Sequence, residues 1–89
     1  MRKVEELKNI GPKTARYLLE VNIITEYDLR ECGIEEAFRR VFFRFQDELK
    51  FTSVYLYALE GALMDIHWND IPQKRKNDLK VIFKKICSK

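Results

Sequence analysis

Apolar residues in this 89-residue chain recur at three- and four-residue spacing almost from end to end, and that periodicity restricts it to helices joined by tight turns. Runs of β-branched residues are short, and with only three Gly and two Pro there is little to interrupt a helix. The predicted fold is all-α, a compact domain of five to six helices. A chain of this length accommodates one core, so residues 1–89 are read as a single domain. At 46% hydrophobic, with six Phe, four Tyr and one Trp, it can bury that core without help from a metal or a disulfide.

A short first helix is predicted over residues 3–8. A second starts at Pro12, whose missing N–H costs nothing in a first helical turn, with Ala15, Leu18 and Leu19 facing inward and Ile23 continuing that face. Thr25 reads as the next N-cap: Asp28 stands where a capping box needs its acid, and Ile24 and Leu29 occupy the two hydrophobic-staple positions. Gly33 is placed just past the end of that helix. The next helix carries Ile34, Ala37, Phe38, Val41, Phe42 and Phe45 on one face. Thr52 or Ser53 caps a further helix to about Asp65, where Gly61 predicts the close approach of another backbone. Phe43 and Tyr57 fall outside their helices' apolar stripes. The last helix starts near Pro72 and buries Leu79, Ile82, Phe83 and Ile86.

Several function classes are excluded by what the chain lacks. Cys32, Cys87 and the single His67 do not make a zinc set of the usual spacing, and both cysteines read as small buried hydrophobes. No cofactor and no small-molecule substrate are expected, because no Walker, Rossmann or metal pattern is present. No apolar run approaches the roughly 20 residues that span a bilayer, and the N-terminus begins with charges and a helical pattern in place of a signal sequence, so a cytoplasmic location is expected. The net charge of +3 is uneven: residues 72–89 hold seven basic residues against Asp78, a balance of +6, and the remainder sums to −3. A basic last helix on a mildly acidic body suits nucleic acid or an acidic protein surface, and equally an ordinary solvated face.

The stretch Leu7, Lys8, Asn9, Ile10, Gly11, Pro12, Lys13, Thr14, Ala15, Arg16 resembles the helix-hairpin-helix motif of DNA repair and replication proteins. In such a motif glycine permits a positive φ in the turn, and the unpaired N–H groups of the following helix receive a phosphate oxygen. The resemblance implies a nucleic-acid-backbone site at Gly11, Lys13 and Thr14, widened by Arg16, with Ile10 and Ala15 locking the hairpin to the core. Asn9 departs from the pattern, standing where the first glycine of the usual pair would be. Shifted by 22 residues, Leu29, Gly33 and Ala37 repeat the Leu, Gly and Ala positions, which suggests tandem hairpins. This second copy carries Glu31, Glu35 and Glu36, which favour a helix N-terminus but repel phosphate.

Further along, Leu56, Tyr57, Ala58, Leu59, Glu60, Gly61, Ala62, Leu63, then His67, Trp68, Ile71, Pro72, Lys76 and Leu79, resemble the signature of the TfoX C-terminal domain family. With Asn9 to Lys13 and the Gly33 turn, the resemblance covers nearly the whole chain. It implies a bacterial protein of SAM-like or hairpin-type helical fold, a regulatory context related to competence for DNA uptake, and no catalytic residues. The chain would be a version of the domain without the N-terminal TfoX partner.

His67 has no nucleophile or carboxylate motif beside it, so it is not read as a general acid or base. Trp68 is read as a plug between the last two long helices, Glu60 as one half of a structural hydrogen bond or salt bridge, and Phe51, Tyr55 and Tyr57 as core aromatics. The expected function is a non-enzymatic regulatory domain contacting DNA backbone without sequence specificity through the first hairpin. The alternative is a SAM-like protein-interaction adaptor.

Overall fold

The ends of the helices are where this sequence commits itself most firmly. The computed structural model describes residues 2–88; Lys89, one of the seven basic residues of the C-terminal segment, lies outside them. Four α-helices are found among the described residues: α1 (Pro12–Glu20), α2 (Glu26–Phe45), α3 (Val54–Met64) and α4 (Gln73–Cys87). Two single 3-10 turns, Val4–Glu6 and Trp68–Asp70, complete the fold. The radius of gyration, 12.0 Å, equals the value of about 12 Å expected for a folded chain of this size.

The helix expected at residues 3–8 is thus only the turn Val4–Glu6. A segment this short cannot repay helix nucleation, and it is held instead by Val4 N donating to Ile24 O (3.0 Å) and Glu26 N donating to Arg2 O (2.8 Å). Gly33 ends a helical run as expected, and the next run starts directly after it. The anticipated second hairpin is only a one-residue break: α2 is two helical runs meeting at a kink, where Gly33 adopts φ 82° and ψ 157°. That backbone conformation is essentially reserved for glycine. Gly33→Ala is expected to cost about 1–2 kcal/mol through backbone strain alone, since an added Cβ would meet nothing within 4 Å. Urea unfolding measures it, and a loss below about 0.3 kcal/mol would mean that the kink relaxes at no cost.

The capping box at α2 forms as expected: Asp28 N donates to Thr25 Oγ1 (3.1 Å), and Thr25 N donates to Asp28 Oδ2 (3.0 Å). Backbone hydrogen bonds from Thr25 and Ile24 hold the Asp28 carboxyl below the usual carboxylate range. The staple does not form, because Ile24 is 47% exposed while Ile23 is buried beside Leu29. Leu19, expected inside, is likewise exposed. The exposure of Ile24 traces to Asn22, which takes φ 67° just after α1. Asn22 N and Ile23 N donate back to Leu19 O and Leu18 O, a Schellman ending that swings Ile23 into the core.

The core is centred on Phe38, which has no exposed surface. It meets Phe42, Phe51, Tyr55 and Phe83 at ring-centroid distances of 5.6–6.5 Å. Leu18, Leu29, Leu56, Leu59 and Leu79 belong to the same buried cluster. Tyr57, outside its helix's apolar stripe but read as a core aromatic, is buried and stacks on Trp68 at 6.4 Å.

Candidate functional site

The first hairpin joins the turn Val4–Glu6 to α1, and its geometry is set by Asn9. The positive φ of the turn falls at Asn9, φ 72°, where the first glycine of the usual pair would stand, while Gly11 is extended at φ −82°. Asparagine tolerates the left-handed region better than other side chains, and here its amide has work that glycine could not do. Asn9 Nδ2 donates to Ile66 O (2.9 Å) and Ala58 O (3.4 Å), and Asn9 Oδ1 accepts from Trp68 N (3.1 Å). One side chain thereby ties the hairpin to the C-terminal end of α3 and to the Trp68–Asp70 turn.

Gly61 is the counterpart of Asn9. A Cβ there would lie 2.5 Å from Asn9 Nδ2 and 2.7 Å from Ile66 O. The close approach read from the sequence is real, but a side-chain amide as well as a backbone makes it. α3 then ends on Asp65 at φ 60°, with Ile66 N donating to Gly61 O and Arg30 donating to Leu63 O.

The predicted phosphate contacts sit at the start of α1. Gly11 is the N-cap and supplies its carbonyl to Ala15 N (2.9 Å), with no side chain capping the first turn. Pro12 has no N–H, so the amides of Lys13 and Thr14 are the first-turn donors that intrahelical bonding leaves over. Lys13 is exposed and forms no ion pair among the described residues. Thr14 is half-buried, with its hydroxyl beside the phenol of Tyr55, whose pKa burial pushes up and Thr14 partly restores. With Asn9, Tyr55, Ala58 and Trp68 it lines a cavity of about 260 Å³. Lys13 and Arg16 share a second hollow, of about 230 Å³, with Glu20 and Glu48. Arg16 reaches Glu20 at 3.9 Å, and Arg44 reaches the same carboxylate at 3.2 Å.

Gly11, Lys13, Thr14 and Arg16 are therefore close together, but two of the four are already turned to other partners. The C-terminal lysines do not join them. α4 packs on α2 and α3, whereas α1 packs on α2 and the N-terminal turn.

The remaining polar residues singled out from the sequence have structural duties. Glu60 forms a two-pronged ion pair with Arg75, at 2.8 and 3.2 Å, that fastens α4 to α3. His67 Nδ1 accepts from Asn69 N and caps the Trp68–Asp70 turn. Lys76 Nζ donates to Asn69 O (3.1 Å) and stands 5.8 and 5.9 Å from the Tyr57 and Trp68 ring centroids. Burial pushes both cysteine thiols up, away from the reactive thiolate. No metal-binding group occurs among the described residues, and no helix among them is long and apolar enough to cross a membrane. Sequence reasoning missed the hydrogen-bonding role of Asn9 and the left-handed caps at Asn22 and Asp65; the Asn-Ile-Ile run after α1 carried a readable signal for one of them.

Comparison with known proteins matches residues 1–83 to the model of the TfoX C-terminal domain. A crystal structure of an uncharacterised protein from Listeria monocytogenes, triclinic form, superposes with a TM-score of 0.84 at 30% identity, covering 97% of this chain and 94% of that one. A second, of a protein of unknown function from the same organism in tetragonal form, gives 0.80 at 32% identity, covering 92% and 98%. Among curated proteins none matches.

Proposed function

Because this chain belongs to the TfoX C-terminal domain family, we propose that it is a non-enzymatic regulatory domain of the competence-regulator kind that contacts nucleic-acid backbone through the start of α1. The observation that carries this reading is Lys13: an exposed ammonium with no carboxylate partner among the described residues, beside two first-turn amides that no side chain caps. Amides and an ammonium together suit a phosphate oxygen and read no base. Arg16 adds a cation once it leaves its loose pair with Glu20. Gly11 contributes by having no side chain over the approach, since open space surrounds its Cβ position.

The test is duplex binding at fixed low salt. Lys13→Glu is expected to weaken binding by about threefold to tenfold, the loss of one phosphate contact plus a new repulsion. The wild type failing to bind at about 50 mM salt, where such contacts are strongest, would overturn the reading.

A second reading, a protein-interaction adaptor of SAM-like shape, is favoured by one observation. On the other side of α1, Ile10, Pro12, Ala15 and Leu19 line a groove of about 420 Å³ bordered by Glu5 and Arg16, with Leu19 41% exposed. An adaptor would bury this groove against a partner and show no length-dependent affinity for DNA.

A further inference from the structure

We propose that the solvent face of α4 is a second surface for nucleic-acid backbone, separate from the α1 hairpin and carried by Lys74, Lys80 and Lys84. The proposal shares the nucleic-acid reading above but rests on different residues. It starts from how the chain spends its carboxylates. All seven arginines stand in ion pairs, and they engage Glu20, Glu26, Glu35, Glu36 and Glu60. The lysines of α4 are treated differently. Lys85 reaches Glu35 at 3.5 Å, Lys76 turns inward onto Trp68, and exposed Lys74, Lys80 and Lys84 have no ion-pair partner among the described residues.

Helix stability does not account for this pattern. The first turn of α4 holds no acid but Lys74, Arg75 and Lys76, at the end of a helix where the macrodipole disfavours cations. Lys76, Lys80 and Lys84 then follow one another at four-residue spacing, a like-charge arrangement that weakens a helix. Lys84 and Lys85 suit the C-terminal turn, but Lys74 and Lys80 have no such explanation.

The shape of the face selects the occupant. Over its 15 residues α4 is about 22 Å long; Lys80 and Lys84 stand one turn apart on one stripe and Lys74 near its start about a third of a turn round the axis, so the three present charge along and around the solvent face to a run of phosphates. Lysine acts there as a point charge, suited to a contact that positions without reading sequence. An anionic membrane fits less well, because an interfacial helix inserts large apolar side chains and this face offers only Val81, 66% exposed.

The experiment is fluorescence anisotropy with a labelled duplex of about 20 base pairs between about 50 and 200 mM salt, set beside vesicles containing phosphatidylserine. The wild type is expected to give a log–log salt slope of about −3, and the triple variant Lys74→Gln, Lys80→Gln, Lys84→Gln to lose at least about tenfold in affinity at low salt with a slope flatter by two to three. Unchanged helical circular dichroism and unfolding midpoint establish that the variant is folded. A triple variant that binds like the wild type overturns the proposal, and if Lys13→Glu alone then weakens binding, the hairpin reading stands without it. Loss in the triple variant with none in Lys13→Glu supports α4 and removes the hairpin. Wild-type binding to vesicles but not to duplex overturns both.

Discussion

A Gly61→Ala variant is expected to be less stable than the wild type by about 3 kcal/mol, as strong overpacking of a well-filled site costs. Two of the atoms the new methyl meets are too close to tolerate: Asn9 Nδ2 at 2.5 Å and Ile66 O at 2.7 Å. The amide of Asn9 can retreat only by giving up its bonds to Ala58 O and Ile66 O. The Ile66 carbonyl is backbone, and the N–H of the same residue is committed to Gly61 O at 3.0 Å, so moving it opens the end of α3. Alanine's intrinsic preference for helix, about 1 kcal/mol over glycine, acts in the opposite direction. A destabilised result therefore cannot come from helix propensity. For a domain of this size a loss of about 3 kcal/mol lowers the melting temperature by about 12–24 °C. Thermal and urea unfolding should agree, with the urea slope unchanged. A variant melting within about 2 °C of wild type would mean that the α3 end and the hairpin separate freely.

This expectation illustrates which parts of the structure could be read from the sequence. The helices themselves were legible wherever a local rule sufficed: Pro12 at a first turn, the Thr25–Asp28 box, and the three-four spacing that puts Ala37, Phe38 and Val41 inside. Gly61 was legible as a close contact because glycine mid-helix is costly without one. What met it was not legible, since Asn9 is 52 residues away in sequence and nothing local pairs them. The error at Ile24 lies past the point where Asn22 turns the chain, whereas Leu19, inside α1, has the right spacing but borders a surface groove with Ile10 and Pro12. The helix stop at Gly33 was legible because glycine accepts a positive φ, but nothing local showed that the next helix starts at once, which leaves a kink where a hairpin loop was expected. At the candidate site, residue types and spacing placed Lys13 and Thr14 correctly at a helix start, but only the fold reveals that Thr14 faces Tyr55 and that α4 lies elsewhere.

Substitutions at Asn9 should separate the two things that this residue does. Asn9→Ala removes three part-buried hydrogen bonds and puts at a left-handed position a residue that lacks asparagine's tolerance of it, for a combined loss of about 3 kcal/mol. Asn9→Gly removes the same bonds but accepts φ 72° without strain, so it should lose about 1 kcal/mol less. Asn9→Asp preserves shape and the acceptor for Trp68 N, but turns a carboxylate oxygen toward Ala58 O and Ile66 O. Repulsion there raises that carboxyl's pKa above its unfolded value, so the variant's deficit should be greatest at neutral pH and shrink as pH falls and the acid becomes a donor. Urea unfolding at two pH values reads this directly, and a deficit that does not vary with pH would mean that the side chain has rotated out of the site. Coupling to Gly61 supplies the last check. In the Asn9→Gly background one of the two clashing atoms is gone, so Gly61→Ala should cost less than it does in the wild type. It should not become free, because Ile66 O remains 2.7 Å from the new methyl. Additive losses would place the strain on the backbone carbonyl alone and reduce Asn9 to a bystander in the packing of the hairpin against α3.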